Sequence, residues 1–279
     1  MEGNKNMNQT TDTVGLTDDQ IDFHKTFGYT ILKGLFSADE LATIHKEFDA
    51  TMAEQYAHKP YDGTERHWAP MTDEETPFFA SLMEDPRFLT VAQQLYGDDV
   101  LGIGTDANRY TGNTRWHRDT GTVHQYGVKF AFYLDPVDGN TGALRVIPSA
   151  HRLPNDDQFA DGVRSLPLEQ VPCTALASEP GDVVAFDLRM WHASYGGSND
   201  RRMCTVVYYA NPKNPDEIEA LRRQGEGNAQ AGVKAFNPKR QYLYSKRWMS
   251  NPHGSLTRQF WIDRLTEVGY FDAPGSVEA

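Results

Sequence analysis

Two histidine-bearing stretches far apart in the chain must be brought together, and little else in the sequence is so demanding. The first is Arg115-Trp116-His117-Arg118-Asp119; the second, Met190-Trp191-His192, lies more than seventy residues downstream. In an extended strand successive side chains alternate between faces, so His117 and Asp119 point the same way. His192 cannot share that strand, but a folded β-sheet can lay it alongside. Two neutral imidazoles and one carboxylate on one face of an octahedron hold non-haem Fe(II) and leave three positions open. A bare His-x-Asp is a weak motif. Its context sharpens it: a Trp before each His, a strand-like meander between them, and Gly181-Asp182-Val183-Val184-Ala185-Phe186-Asp187 leading to the second. Of the other histidines, His24, His45 and His58 sit in helical or loop stretches rich in polar groups and read as surface groups or as supporting groups near a site, not as ligands, while His67, His124, His151 and His253 are ambiguous.

The meander is legible. From Val100 on, short apolar or alternating runs dominate: Leu101–Ile103, Val128–Leu134, Leu144–Ile147, Val183–Phe186 and Met203–Tyr209. Asp138-Gly139-Asn140 and Gly196-Gly197 are turn signals of the kind that join antiparallel strands. The pattern predicts a barrel or sandwich, and a jelly roll fits the strand count. Helices come first. Thr17 with Gln20 and Ser37 with Glu40 form capping boxes, the first helix carries Ile21, Phe23, His24 and Phe27 inward to a stop at Gly28, and Asp85-Pro86 opens another that Gly97 ends. Beyond the strands, Asn214-Pro215 opens a helix to about Arg223, Gln224–Phe236 reads as a mobile loop, and Leu256–Val268 as a last helix. Gln241–Trp248 is expected over the mouth of a pocket. Residues 1–15 read as a polar, disordered tail, and 16–279 as a single domain with a helical and loop extension at its C-terminal end. Helices on one side of an antiparallel core make the class α+β.

Composition narrows the function. A formal charge of -12, with no Lys/Arg run longer than two, argues against a nucleic-acid partner, which needs a basic face. A small anion in a locally basic pocket stays compatible. No stretch has the length of a membrane span, no apolar signal core opens the chain, and two cysteines, Cys173 and Cys204, read as reduced thiols. A cytoplasmic protein is expected, its oligomeric state open.

From Leu16 to about Asn211 the chain resembles the phytanoyl-CoA dioxygenase family of Fe(II)/2-oxoglutarate-dependent oxygenases. The resemblance rests on Phe27-Gly28-Tyr29, Leu35-Phe36-Ser37 with Glu40-Leu41, and Trp116-His117-Arg118-Asp119. It continues through the run Thr141 to His151, Gly181-Asp182-Val183-Val184, Trp191-His192-Ala193-Ser194 and Asp200-Arg201-Arg202. It implies a double-stranded β-helix, Fe(II), 2-oxoglutarate and O2 as cofactor and cosubstrates, and His117, Asp119 and His192 as iron ligands. It also implies an arginine, shortly after the distal His, that pairs with the far carboxylate of 2-oxoglutarate.

A guanidinium suits that role because its planar fork matches a carboxylate with two parallel hydrogen bonds. Arg201 and Arg202 leave opposite faces of their strand, and the apolar residues that follow favour Arg201. Ser194 could bond the same cosubstrate. The expected reaction hydroxylates a C–H bond of a small polar metabolite, anionic or zwitterionic, and releases succinate and CO2. Desaturation or demethylation is open to the same chemistry, whereas Asp119 disfavours halogenation, because related halogenases have Gly or Ala there. Non-redox hydrolysis or isomerisation on the same metal site, or a non-catalytic binding module, are the alternatives. For substrate contacts the candidates are Arg109, Lys129 and Tyr195, although Lys129, interrupting an apolar strand, reads more readily as solvent-facing than as contacting an anion. Tyr126, Tyr133, Tyr208 and Tyr209 could add an aromatic wall or simply fill the core.

Overall fold

A computed structural model describes residues 14–153, 157–235 and 240–279. Its first elements begin where the capping residues place them. Helix α1 (Asp18–Phe27) has Thr17 and Gln20 bonded to each other's backbone N–H at 3.3 and 2.9 Å, and Ser37 and Glu40 do the same for α2 (Ala38–Gln55) at 3.3 and 2.7 Å. Gly28 ends α1 in the left-handed region, φ 85°, where a Cβ would be strained. Between α1 and α2 runs strand β1 (Tyr29–Leu32); after α2 come β2 (His67–Pro70), α3 (Pro77–Leu82) and α4 (Pro86–Tyr96), capped by Asp85. The strand-rich middle follows as β3 (Leu101–Tyr110), β4 (Thr114–His117), β5 (Gly127–Tyr133), β6 (Leu144–Val146), helix α5 (Asp157–Ser165), β7 (Thr174–Leu176), β8 (Val183–Asp187), β9 (His192–Ser194) and β10 (Arg201–Tyr209). Helices α6 (Pro215–Ala235), α7 (Lys246–Ser250) and α8 (Leu256–Glu267) close the chain.

The strands form two antiparallel sheets, ordered β1-β8-β5-β10-β3-β2 and β4-β9-β6-β7. The register of the larger sheet decides which residues can meet. Lys129 is opposite Val207, which is opposite Gly104; Ala131, Thr205 and Asp106 form the next row, Tyr133, Met203 and Asn108 the next, and Arg201 faces Tyr110. Residues in register share a face, and rows two residues apart share it again. These rows therefore look one way, and the intervening side chains look the other. On that other side Phe88, Phe130, Phe132, Ile44, Phe48, Tyr208 and Trp261 are fully or almost fully buried in one core with the helices. A second core spans the two sheets and the outside of the smaller one, where Phe159 of α5 meets Trp191 edge-on with ring centroids 6.0 Å apart. The structure is thus a mixture of helices and antiparallel sheet, with most helices against the six-stranded sheet and α5 against the four-stranded one.

Several elements differ from expectation. Strand β3 runs on to Tyr110 rather than stopping near Ile103, because its inner face carries polar residues that break the apolar pattern without breaking the ladder. Helix α6 continues through Gln224–Ala235, where a loop was expected; Gly225 is a close-approach residue, packed so tightly on the Tyr270 backbone that a methyl would overlap its carbonyl. Phe236 lies outside the described residues, as do 1–13 of the expected tail. In α1, His24 is buried while Phe23 and Phe27 stay largely exposed. Burial pushes the His24 imidazole down to about 4, against the pull of Asp187. Strands β2 and β7 and helices α3 and α5 lacked a sequence signal strong enough to expect. Among the described residues, no helix is long and apolar enough to cross a membrane.

Candidate metal centre

Strands β4 and β9 pair His117 directly with His192, and their rings lie 4.1 Å apart between centroids. Asp119 follows β4 by two residues, held by its N–H to the Leu188 carbonyl at 3.1 Å. Its Oδ1 stands 3.9 Å from His117 Nε2 and 3.8 Å from His192 Nε2. One donor atom from each of the three residues lies within 4.8 Å of the others. Both Nδ1 atoms are tied to backbone carbonyls, His117 to Arg115 at 2.8 Å and His192 to Met190 at 3.0 Å. That contact makes Nδ1 the protonated nitrogen and leaves the Nε2 lone pair for a cation. Burial pushes His192 down to about 4, so at neutral pH it is uncharged, as a ligand must be. The donor set and its spacing fit a divalent ion such as Fe(II).

Lys129 completes the centre. Its Nζ donates to Asp119 Oδ2 at 2.9 Å, with both side chains mostly buried. Burial works against the Asp119 charge, but the Lys129 ammonium and then the imidazoles outweigh it and hold the carboxyl well below the usual carboxylate range. Burial works equally against the lysine, and Asp119 followed by Asp106 keeps it protonated. The expectation of a solvent-facing Lys129 gives way to the anion contact. An inward lysine in an apolar strand is tolerable because a carboxylate awaits it.

Asp119 and Lys129 lie at a cavity of about 500 Å³. Its wall comes from three directions: Trp68 and Asp106 of β2 and β3, Gln224 and Asn228 of α6, and Leu243, Tyr244 and Tyr270 from the C-terminal region. From the stretch Gln241–Trp248, Leu243 and Tyr244 line the wall, and Tyr209 lines it too. Tyr208 instead points into the core, its hydroxyl on the Met83 carbonyl at 2.6 Å, and Tyr126 lies under the Arg189 guanidinium.

The two arginines separate as strand alternation demands. Arg201 is buried, and its guanidinium donates to the carbonyls of Ser198 and Gly112 at 3.0 and 2.7 Å. Among the described residues no carboxylate pairs with it. Its stem passes so close to Gly142 and Gly197 that a Cβ at either would collide with it. A second cavity of about 470 Å³ is lined by both arginines, together with Arg109, Tyr133 and Asp135. Arg202 points outward and is paired with Asp135 at 2.7 and 3.1 Å. Ser194 is buried on the same face of β9 as His192 and donates to the Gly142 carbonyl at 2.7 Å. Arg109 and Tyr195 are not brought to the metal donors. Arg109 alternates with the inward Asn108, pairs with Asp200 at 2.6 and 2.8 Å, and stacks on Tyr61. Tyr195 alternates with Ser194, lies under Arg145 at 3.6 Å and has its hydroxyl near Cys173. Asp106, Asn108 and Arg66 were not singled out as site residues from sequence; alternation along Gly104, Asp106, Asn108 and Tyr110 was the available signal.

A model of the phytanoyl-CoA dioxygenase family matches residues 25–204, a span that contains all three donors. The chain belongs to that family. By class it is an iron- and 2-oxoglutarate-dependent dioxygenase. It is similar to the ectoine dioxygenase of Sphingopyxis alaskensis, with 25% identity over 208 residues that cover 61% of this chain and 67% of the relative. The ectoine dioxygenase of Bordetella bronchiseptica is 24% identical over 264 residues, 80% of this chain and 85% of the relative. Among solved structures, EctD from S. alaskensis with 2-oxoglutarate and 5-hydroxyectoine superposes with a TM-score of 0.56 at 22% identity, covering 72% of this chain and 78% of that one. At that identity the likeness speaks for the fold.

Proposed function

We propose that this chain hydroxylates a C–H bond of a small polar metabolite, anionic or zwitterionic, using Fe(II), 2-oxoglutarate and O2 and releasing succinate and CO2. The observation that carries the reading is the convergence of His117, Asp119 and His192, with their free donor atoms turned toward one point beside a cavity. The strand order of the two sheets supports a double-stranded β-helix, formed within a single domain spanning 16–279. Ectoine dioxygenases among its relatives favour a small-molecule substrate.

In this reading His117 and His192 hold iron through Nε2 and Asp119 through Oδ1, while Lys129 keeps Oδ2 occupied. When bound, iron together with 2-oxoglutarate and O2 supplies the oxidising power. The chain's own residues position and shield. Ser194 stands two residues from His192 on one strand face, about 7 Å along β9, and so lines the way from the metal toward Arg201. Arg201, charged, buried and, among the described residues, without a carboxylate partner, is the better receiver for the far carboxylate of 2-oxoglutarate; Arg202 already has Asp135. With Asp119 present, the position a halide would need is filled, which favours hydroxylation.

Anaerobic addition of Fe(II) and 2-oxoglutarate to the purified protein tests this. A visible charge-transfer band is expected, and its absence would favour a non-redox metal site or a binding module. His117→Ala, Asp119→Ala and His192→Ala should each abolish succinate formation coupled to substrate, measured by chromatography. Retained coupling in the Asp119 variant would remove that residue from the metal.

A further inference from the structure

The cavity beside the metal donors contains a carboxylate that none of the groups assigned so far accounts for. Asp106 sits on β3 between Pro70 and Thr205, on the face that Gly104, Val207 and Lys129 share. It lies two positions beyond Gly104, about 7 Å further along the strand. Its Oδ1 accepts from Asn108 Nδ2 at 2.6 Å. Among the described residues Oδ2 accepts no hydrogen bond, and no cationic side chain stands within ion-pairing distance.

Two cations share the wall, yet each is engaged elsewhere. Lys129 is held by Asp119 at 2.9 Å and feels Asp106 only at longer range. Arg66, at the exposed rim, gives both of its observed bonds to Asn108 Oδ1 and stacks on Tyr110 at 4.6 Å. Asn108 is thus a fixed link that accepts from the arginine and donates to the aspartate, holding their charges apart instead of letting them neutralise each other. A partly buried carboxylate so arranged keeps one oxygen turned to the cavity, where a cation can meet it. Trp68, Tyr209, Tyr244 and Tyr270 line the same space, and two of their hydroxyls are already spoken for, Tyr244 by the Ile103 carbonyl and Tyr270 by Asn228. Aromatic walls around a carboxylate suit a positively charged nitrogen with an organic body.

We propose that Asp106 receives a cationic nitrogen group of the substrate, an ammonium, amidinium or guanidinium, with any acid group of the same molecule turned toward Arg66 at the rim. This rests on the oxygenase reading, and it narrows that reading from anionic or zwitterionic molecules to those carrying a positive nitrogen. Purely anionic substrates are excluded, because Asp106 would repel them.

The test uses the holoenzyme with Zn(II) in place of Fe(II) and saturating 2-oxoglutarate, which prevents turnover. Saturation-transfer NMR then compares two probes of equal length and opposite charge, n-butylammonium and valerate. Transfer to n-butylammonium is expected at tens of millimolar, reduced at least tenfold in Asp106→Asn and kept in Asp106→Glu. Valerate bound in preference to n-butylammonium, no n-butylammonium binding at all, or binding unaltered in Asp106→Asn would each overturn the assignment. The 2-oxoglutarate signals in the same wild-type samples separate the two failures. If 2-oxoglutarate does not bind, the oxygenase reading fails; if it binds and n-butylammonium does not, only Asp106 does.

Discussion

Removing the Arg201 guanidinium should weaken 2-oxoglutarate binding far more than removing that of its neighbour Arg202. A guanidinium has five N–H donors. In Arg201 two of them are used, one on Ser198 at 3.0 Å and one on Gly112 at 2.7 Å. Three remain, enough for a two-pronged contact with a carboxylate. Truncating one partner of a desolvated charge pair costs about 2–5 kcal/mol. A loss near ~3 kcal/mol corresponds to a dissociation constant raised on the order of 100-fold. Arg202 spends its fork on Asp135 at a partly exposed surface, where such pairs contribute about 0–1 kcal/mol, and its loss should leave 2-oxoglutarate binding within a few-fold of wild type. Arg201 also secures two loop carbonyls, so Arg201→Ala should melt earlier. Arg201→Lys, which keeps the charge but not the fork, gives the intermediate affinity that a general loss of structure would not. The assay is anaerobic titration of the Fe(II) protein with 2-oxoglutarate, read from the visible band. Equal shifts in Arg201→Ala and Arg202→Ala, or a larger one in Arg202→Ala, would refute the argument.

Two further outcomes concern stability. His24 titrates at about 4 when folded and near 6.5 when unfolded, so between those values the unfolded chain binds the extra proton. Stability from this group is therefore complete above pH 6.5 and is lost as pH falls toward 4, on the order of 3 kcal/mol in all; His24→Leu should flatten that limb of a melting-temperature profile, and parallel profiles would sink the explanation. Two glycines of α6, Gly225 and Gly227, should behave oppositely. Gly225→Ala must displace the Tyr270 carbonyl and should destabilise by about 1–3 kcal/mol, whereas Gly227, with open space around it, should gain up to about 1 kcal/mol from alanine; chemical denaturation of both variants decides.

The helix starts at Thr17, Ser37 and Asp85 were legible because a capping residue acts within one turn of chain. The apolar strands were legible for a similar reason, since alternation is local. Strand β3 was only half legible: Leu101–Ile103 is an apolar run, while further along Asp106 lines a cavity and Asn108 links it to Arg66, and sequence pattern equates polar with loop. The metal donors could be proposed from spacing, yet their approach depends on the β4–β9 pairing, which no local signal encodes. Lys129 shows the same limit. Its cost in an apolar strand is readable, but the carboxylate that offsets it can be seen only once Asp119 has been folded back over β5. Alternation also sorts Arg201 from Arg202, and inward Asn108 and Ser194 from outward Arg109 and Tyr195, once register says which face is inside.

The candidate metal donors stand on β4 and β9 and in the turn after β4, whereas part of the cavity wall is supplied by α6 and the C-terminal stretch around Tyr244 and Tyr270. The family match ends at residue 204, before any of that enclosure begins. The cavity is thus shared between two lengths of polypeptide, with Asp106 and Trp68 inside the matched span and Asn228, Tyr244 and Tyr270 beyond it. Replacing residues 215–279 with those of another member should therefore reshape one wall of the cavity while Asp106, His117, Asp119 and His192 stay in place.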